Sequence, residues 1–243
     1  MRVRFLGSGD AFGSGGRLQT CIALESPDFR ALLDCGTSSL IALKRARIDP
    51  NQISTILVTH LHGDHFGGIP FFVLDAQFSR RSAPLTIAWP PGIAARVREA
   101  LEVFFPGSSR IEQRFPIHYA VLSALETSAF GPLRVTAYEV VHACGAPPYA
   151  LRIELDGRTI AYSGDTEWTD ALVAAARGAD LFICEAYFYE KVVRFHLDYA
   201  TLARNRERLD CKRLLLTHLG PDMLARLDDV DAETACDGLE ITL

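Results

Sequence analysis

The chain has 243 residues, 49% hydrophobic and 23% charged, with a formal net charge of −5. That balance excludes intrinsic disorder and predicts one domain over 1–243 with a sizeable core. An acidic chain also lacks the basic face of a general nucleic-acid or anionic-membrane binder, and no apolar run reaches the ~20 residues of a membrane helix. The opening Met1-Arg2-Val3-Arg4-Phe5-Leu6-Gly7 reads as a strand rather than a signal peptide, so a cytoplasmic location is expected. Six cysteines form no C-x-x-C pair and read as reduced, mostly buried thiols.

Residues 3–6, 20–26 and 29–34 predict an antiparallel set of strands. Between the first two lies a glycine-rich stretch, 7–17. No helix pattern follows it and no Gly-Lys-Ser/Thr ends it, so it reads as a loop over an active site, not a phosphate cradle. A helix is expected over 38–47, stopped by Asp49-Pro50, then a buried strand over 53–59. Gly67-Gly68 opens a helix to Phe78, followed by a strand over 85–88 and a helix over 93–104. Strands are expected over 117–122, 133–141, 149–155 and 159–163, the last two joined by an Asp156-Gly157 turn. A helix over 167–176, a strand over 181–185, a helix over 198–209 and a strand over 213–217 follow. This order predicts an α/β sandwich, two sheets packed between helices.

The chemistry begins at Thr59-His60-Leu61-His62-Gly63-Asp64-His65, directly after the buried strand. Four metal-competent side chains fall within six residues, and a loop leaving a strand end fans them toward one point. Gly63 reads as a turn requirement. His142, Asp165 and His218 each stand at or just past a predicted strand end. Singly, each reads as a core histidine or, for Asp165, a helix cap. Together they account, with the loop, for five of the seven histidines.

The pattern H-x-H-x-D-H, then His142, then Ser163-Gly164-Asp165-Thr166, then Leu216-Thr217-His218 resembles the metallo-β-lactamase superfamily over nearly the whole chain. The resemblance implies a four-layer αβ/βα sandwich with metals at one edge between the sheets. It implies two divalent ions, one held by His60, His62 and His142, the other by Asp64, His65 and His218, with Asp165 bridging. Zinc suits the imidazole-rich donors, and Mn2+ or Fe2+ fits the same set.

Asp165 stands where the antibiotic-hydrolysing branch usually has cysteine, which is similar to the phosphodiesterase, ribonuclease Z, glyoxalase II and lactonase branches. Phe5-Leu6-Gly7-Ser8-Gly9-Asp10 with Arg17 beyond resembles the ribonuclease Z-like start. Phe182-Ile183-Cys184-Glu185-Ala186-Tyr187 resembles that branch's His-Glu-Ala-Thr segment, with Cys184 for the histidine and Tyr187 for the threonine. His196-Leu197-Asp198 stands for His-Ser-Thr, and His218-Leu219-Gly220-Pro221 lacks the usual Ser-Pro-Arg-Tyr ending. Only 22 residues separate His142 from Asp165, where tRNA-processing enzymes insert an arm that grips tRNA.

The expectation is therefore a phosphodiesterase of the ribonuclease Z-like branch, without the tRNA arm, acting on a small phosphodiester or nucleotide. Nucleic acid is the less favoured substrate, and the family resemblance makes a homodimer plausible. A ribonuclease Z-type tRNA 3′-end endonuclease and a thioesterase or lactonase-type acyl hydrolase are the alternatives. A metal-bridging hydroxide attacks phosphorus, and Asp64 orients it or takes its proton. His196 protonates the leaving oxygen, with Glu185 or Asp198 on its other ring nitrogen. The competing role for His196 is a helix cap. His118 has no motif around it and reads as a surface or core residue.

Overall fold

The computed structural model describes residues 1–243. The strands in chain order are β1 (Arg2–Gly7), β2 (Cys21–Ser26), β3 (Phe29–Leu33), β4 (Thr55–Leu57), β5 (Leu85–Trp89), β6 (Ile117–Val121), β7 (Thr127–Phe130), β8 (Leu133–Glu139), β9 (Tyr149–Leu155), β10 (Arg158–Tyr162), β11 (Leu181–Glu185), β12 (Leu214–Thr217), β13 (Glu233–Thr234) and β14 (Glu240–Thr242). The α-helices are α1 (Ser39–Arg45), α2 (Gly63–Phe66), α3 (Ile69–Phe78), α4 (Ile93–Phe104), α5 (Asp170–Ala176), α6 (Tyr199–Arg204) and α7 (Pro221–Leu224).

Successive strand residues face opposite sides, and a strand apolar on both faces needs cover on both. Leu33, Leu57 and Ala88 enter the central layer, while Leu32, Ile56 and Ile87 face the other way. In β11, Ile183 points inward, and Phe182 and Cys184 point outward. The central layer sets Phe5, Ile22 and Leu57 of one sheet with Val135, Leu151 and Ile183 of the other. Leu43, Phe72 and Val97 seat α1, α3 and α4 on the first sheet, and Leu172, Leu202 and Met223 seat α5, α6 and α7 on the second. The product is the expected four-layer αβ/βα sandwich.

The first sheet runs β14-β1-β2-β3-β4-β5-β6 and the second β13-β12-β11-β10-β9-β8-β7. Strands β3 to β6 are parallel, as are β10 to β13. The ends of β4, β10 and β12 meet at one edge, where the sheets are clipped together. Tyr149 N donates to Thr59 O at 3.0 Å, and His218 N donates to Ser8 O at 3.1 Å.

Some boundaries differ from expectation. The helix expected from 167 starts only at Asp170, because the Thr169 side chain caps it by accepting from Ala171 N. Asp165 is therefore no helix cap. The helix expected over 198–209 breaks at Asn205 into α6 and a 3-10 turn, Arg206–Arg208. Its cap is Asp198, which accepts from Thr201 N at 2.8 Å, so His196 does not cap it. Strands β7, β13 and β14 were not predicted. His118 is exposed on β6. No helix is long and apolar enough to cross a membrane.

Candidate metal centre

After β4 the chain is still tied to the sheet, with Val58 N donating to Ala88 O at 2.9 Å. It then turns outward, and His62 becomes the residue before α2. That single turn aims Asp64 and His65 back toward the point faced by His60 and His62. Gly63 is not what the turn requires, since its φ is not positive and open space surrounds its missing Cβ. The constraint falls on Gly36 and Gly68. A Cβ at Gly36 would collide with the Asp64 carbonyl oxygen, and one at Gly68 with the Gly36 carbonyl oxygen. The second sheet supplies His142 after β8, Asp165 after β10 and His218 after β12.

The structure brings these seven side chains together in two groups. His60, His62 and His142 form one, and Asp64, His65, Asp165 and His218 the other, with donor atoms within 4.8 Å of one another in each. Asp165 lies between them. Its Oδ2 is 3.7 Å from His60 Nε2 and 3.6 Å from His218 Nε2, and its Oδ1 is 3.3 Å from His65 Nε2. His142 Nε2 and His62 Nδ1 stand 3.0 Å apart. His60 Nε2, His65 Nε2 and Asp165 Oδ1 are buried without a hydrogen-bond partner. Such orphaned polar atoms are costly unless something binds them. Converging imidazole nitrogens and carboxylate oxygens are the donor set of a divalent ion such as zinc, so the residues fit metal binding.

The far side of several rings is held in place. His65 Nδ1 donates to Asp34 Oδ2 at 2.7 Å, His60 Nδ1 to Thr59 Oγ1 at 3.0 Å, and His142 Nδ1 to the Phe195 carbonyl at 2.8 Å. In the neutral ring each bond leaves the opposite nitrogen as a lone pair facing the site. Asp34 is the hub. It also accepts from Thr59 N at 2.8 Å, from Thr59 Oγ1 at 3.0 Å and from the Tyr162 hydroxyl at 2.9 Å. Asp34 has no metal-ligand spacing around it in the sequence. Its one signal was a carboxylate closing the apolar run Ala31-Leu32-Leu33.

The two groups differ electrostatically. Burial holds His60, His62 and His142 below the ordinary histidine pKa, favouring neutral rings. Burial opposes charge on His218 as well, yet Asp165 and Asp64 push it up to about 9. His65 is raised against the same burial by Asp165, Asp64 and Asp34. Burial likewise opposes charge on Asp64, but His65 and His218 hold its carboxyl well below the usual range. The carboxylate-rich half thus attracts positive charge.

His196 sits beside this centre. Its Nδ1 is hydrogen-bonded to Glu185 Oε1, and Glu185 is fully buried at the end of β11. Glu185 Oε2 accepts from Thr166 N at 2.8 Å. Burial opposes charge on His196, but the Glu185 carboxylate raises its pKa. Its ring lies 5.1 Å from that of His142 and 6.2 Å from that of His218. Phe195 holds a φ of +73°, uncommon for a bulky residue. Two bonds keep it there: its N–H donates to Glu167 Oε1 at 2.9 Å, and its carbonyl accepts from His142. Neither Phe195 nor Glu167 was singled out from sequence. A cavity of about 490 Å³ opens over Asp64, Asp165, His196 and His218, bordered by Ala11 and Phe12 of the glycine-rich loop.

Residues 1–234 match the family described as "Anti-Pycsar protein Apyc1". The chain belongs to that family. It is 28% identical over 279 residues to the ribonuclease Z of Agathobacter rectalis, covering 93% of this chain and 90% of the relative. That alignment is longer than the whole 243-residue chain, so the relative carries insertions against it. Among solved structures, human tRNase Z, short form, superposes with a TM-score of 0.80 at 25% identity, covering 100% and 99% of the two chains. The metallo-β-lactamase fold protein YhfI from Bacillus subtilis gives 0.81 at 21% identity, covering 99% and 98%. The chain has the metallo-β-lactamase fold and is a metal-dependent hydrolase of the ribonuclease Z-like kind.

Proposed function

We propose that the protein is a dinuclear metal-dependent phosphodiesterase acting on a small phosphodiester or nucleotide. The observation that carries this reading is His196, held by the buried Glu185 and lining the same cavity as Asp64, Asp165 and His218. An alkoxide leaving from phosphorus needs a proton, whereas a thiolate or an activated acyl leaving group departs without one.

In this reading His60, His62 and His142 would hold one cation, Asp64, His65 and His218 a second, and Asp165 would serve both, with zinc the best match to the donors. When bound, such cations would supply a hydroxide nucleophile near neutral pH and would offset charge on the phosphoryl oxygens. Asp64, which lines the cavity, orients the attacking water or takes its proton. His196 carries a proton on Nε2 to the leaving oxygen, and Glu185 stabilises the charged imidazole.

The ribonuclease Z relative favours a second reading, tRNA 3′-end cleavage. Against it, the interval from His142 to Asp165 holds a short loop and the β9–β10 hairpin and nothing longer. An acyl hydrolase using the same centre is the third.

The test is hydrolysis of bis(4-nitrophenyl) phosphate and a dinucleotide by metal-loaded protein, beside His196→Ala and Asp64→Ala. Turnover of both substrates is expected, with both variants impaired on the dinucleotide, His196→Ala at unchanged metal content and Asp64→Ala with weakened binding of the second cation. Inert, fully loaded wild type defeats the proposal and directs the assay to thioesters and lactones. Preferred cleavage of a precursor tRNA at its 3′ end supports the second reading.

A further inference from the structure

Phe12 is 85% exposed, the most exposed of the large hydrophobic side chains. Its backbone is nevertheless fixed. The fully buried Asp10 accepts from Phe12 N at 3.2 Å, from Ser14 N at 2.8 Å and from Ser14 Oγ at 2.6 Å. Gln19 Nε2 donates to Ala11 O at 3.0 Å. On the other flank, Gly15 has a φ of +66° and lies so close to Leu224 that a Cβ would stand 3.0 Å from Leu224 Cδ1. The loop is thus braced on both sides while one apolar ring is left in water.

That ring borders the cavity over Asp64, Asp165 and His196. Tyr187 and Phe188, from the turn after β11, border it too, with their own rings packed edge to face at 4.7 Å. A cavity of about 490 Å³ lies in the range of small-ligand sites, roughly 300–1,000 Å³. Apart from the acidic and histidine groups and the Tyr187 hydroxyl, its lining side chains carry no hydrogen-bonding group. Aromatic faces without polar groups to read base edges bind planar heterocycles by stacking, which tolerates any base.

We propose that Phe12 is a specificity-determining residue that stacks the nucleobase of the substrate. It selects nucleoside phosphodiesters over base-free ones, with little preference among bases. This rests on the phosphodiesterase reading and adds the part of the substrate that lies beyond the phosphate.

The test compares thymidine 5′-(4-nitrophenyl phosphate) with methyl 4-nitrophenyl phosphate, which share a leaving group and differ in the nucleoside. The ratio of their kcat/KM values is expected to fall roughly tenfold in Phe12→Ala, toward the low end of base–aromatic stacking. Phe12→Tyr restores it and Phe12→Leu does not. Calorimetric binding of thymidine 5′-monophosphate to the metal-loaded protein weakens in parallel, and the guanosine and thymidine monophosphates bind within a few-fold of each other. An unchanged ratio and unchanged binding in Phe12→Ala overturn the proposal, as does full retention in Phe12→Leu. If wild type cleaves neither ester, the phosphodiesterase reading fails by itself, and the nucleotide binding of the Phe12 variants still decides the stacking role.

Discussion

Replacing Glu185 by Gln removes a charge and keeps a shape. Glu185 Oε1 holds His196 Nδ1 while Oε2 accepts from Thr166 N at 2.8 Å. Glutamine retains an oxygen for Thr166 and turns its amide toward His196. A hydrogen bond to a charged group contributes about 1.5–3 kcal/mol. Its loss lowers the His196 pKa, because the carboxylate is what raises it. The His196 side chain is 27% exposed, so solvent screening points to the lower end of that energy range. The sign follows from the structure. Burial pushes the imidazole toward its neutral form, and Glu185 raises the pKa against it. The proton-donating form is the charged one, so activity falls as pH rises through the His196 pKa. In Glu185→Gln this alkaline limb moves to lower pH. Glu185 Oε1 also stands 3.7 Å from His218 Nδ1, so the two proteins are compared at equal metal loading. The assay is kcat against pH for two diesters, one with an alkyl and one with a 4-nitrophenyl leaving group, with metal content measured. A loss of about tenfold is expected for the alkyl ester and only a few-fold for the nitrophenyl ester, whose anion leaves unaided. Equal losses on both esters, or an alkaline limb that stays in place, refute the argument.

Asp34→Asn weakens the acceptor for His65, Thr59 and Tyr162 together, and zinc affinity is expected to fall about 10–100-fold in competition with a chromophoric chelator. Glu167→Ala leaves the Phe195 N–H without its acceptor and is expected to cost about 1–2 kcal/mol in denaturant unfolding, with Glu167→Gln costing less than half as much. Arg81 is buried and donates to the carbonyls of Ala83, Pro50, Ile53 and Pro84, so Arg81→Met is expected to lose at least about 3 kcal/mol by the same measurement. Saturating zinc at a hundredfold excess over Kd stabilises by about 2.7 kcal/mol, so chelation is expected to lower Tm by roughly 5–10 °C in calorimetry.

The loop from His60 to His65 was legible because four donors crowd into six residues behind an apolar strand. His142, Asp165 and His218 were legible only one at a time, as polar residues at strand ends. Sheet order unites them, and it was reached through resemblance. Asp34 was legible only as a carboxylate closing an apolar run, because its partners lie 25, 31 and 128 residues away. Gly36 and Gly68 escaped for the same reason, since their constraint is a backbone approach between distant segments. Gly63 misled in the opposite direction. A glycine inside a donor motif resembles a turn, but here α2 begins with ordinary dihedrals. Strand β7, Thr127-Ser128-Ala129-Phe130, is half-exposed and has little apolar alternation, and its pairing with β8 defines it.

The centre belongs to neither sheet. His60, His62, Asp64 and His65 follow β4 in the first, and His142, Asp165 and His218 follow strands of the second. Asp34, after β3, reaches across to Tyr162 at the end of β10, and so ties the ring orientation of His65 to the opposite sheet. Ligand geometry therefore depends on how the sheets sit on one another. That setting is fixed by the central layer, where Leu33 and Leu57 share the core with Leu151 and Ile183. Interiors packed to crystal density transmit small shifts instead of absorbing them. A displacement of about 1 Å at reacting groups costs on the order of 10²-fold in rate. Volume changes in this layer should therefore register in turnover as well as in unfolding, although none of its side chains lines the cavity over the centre.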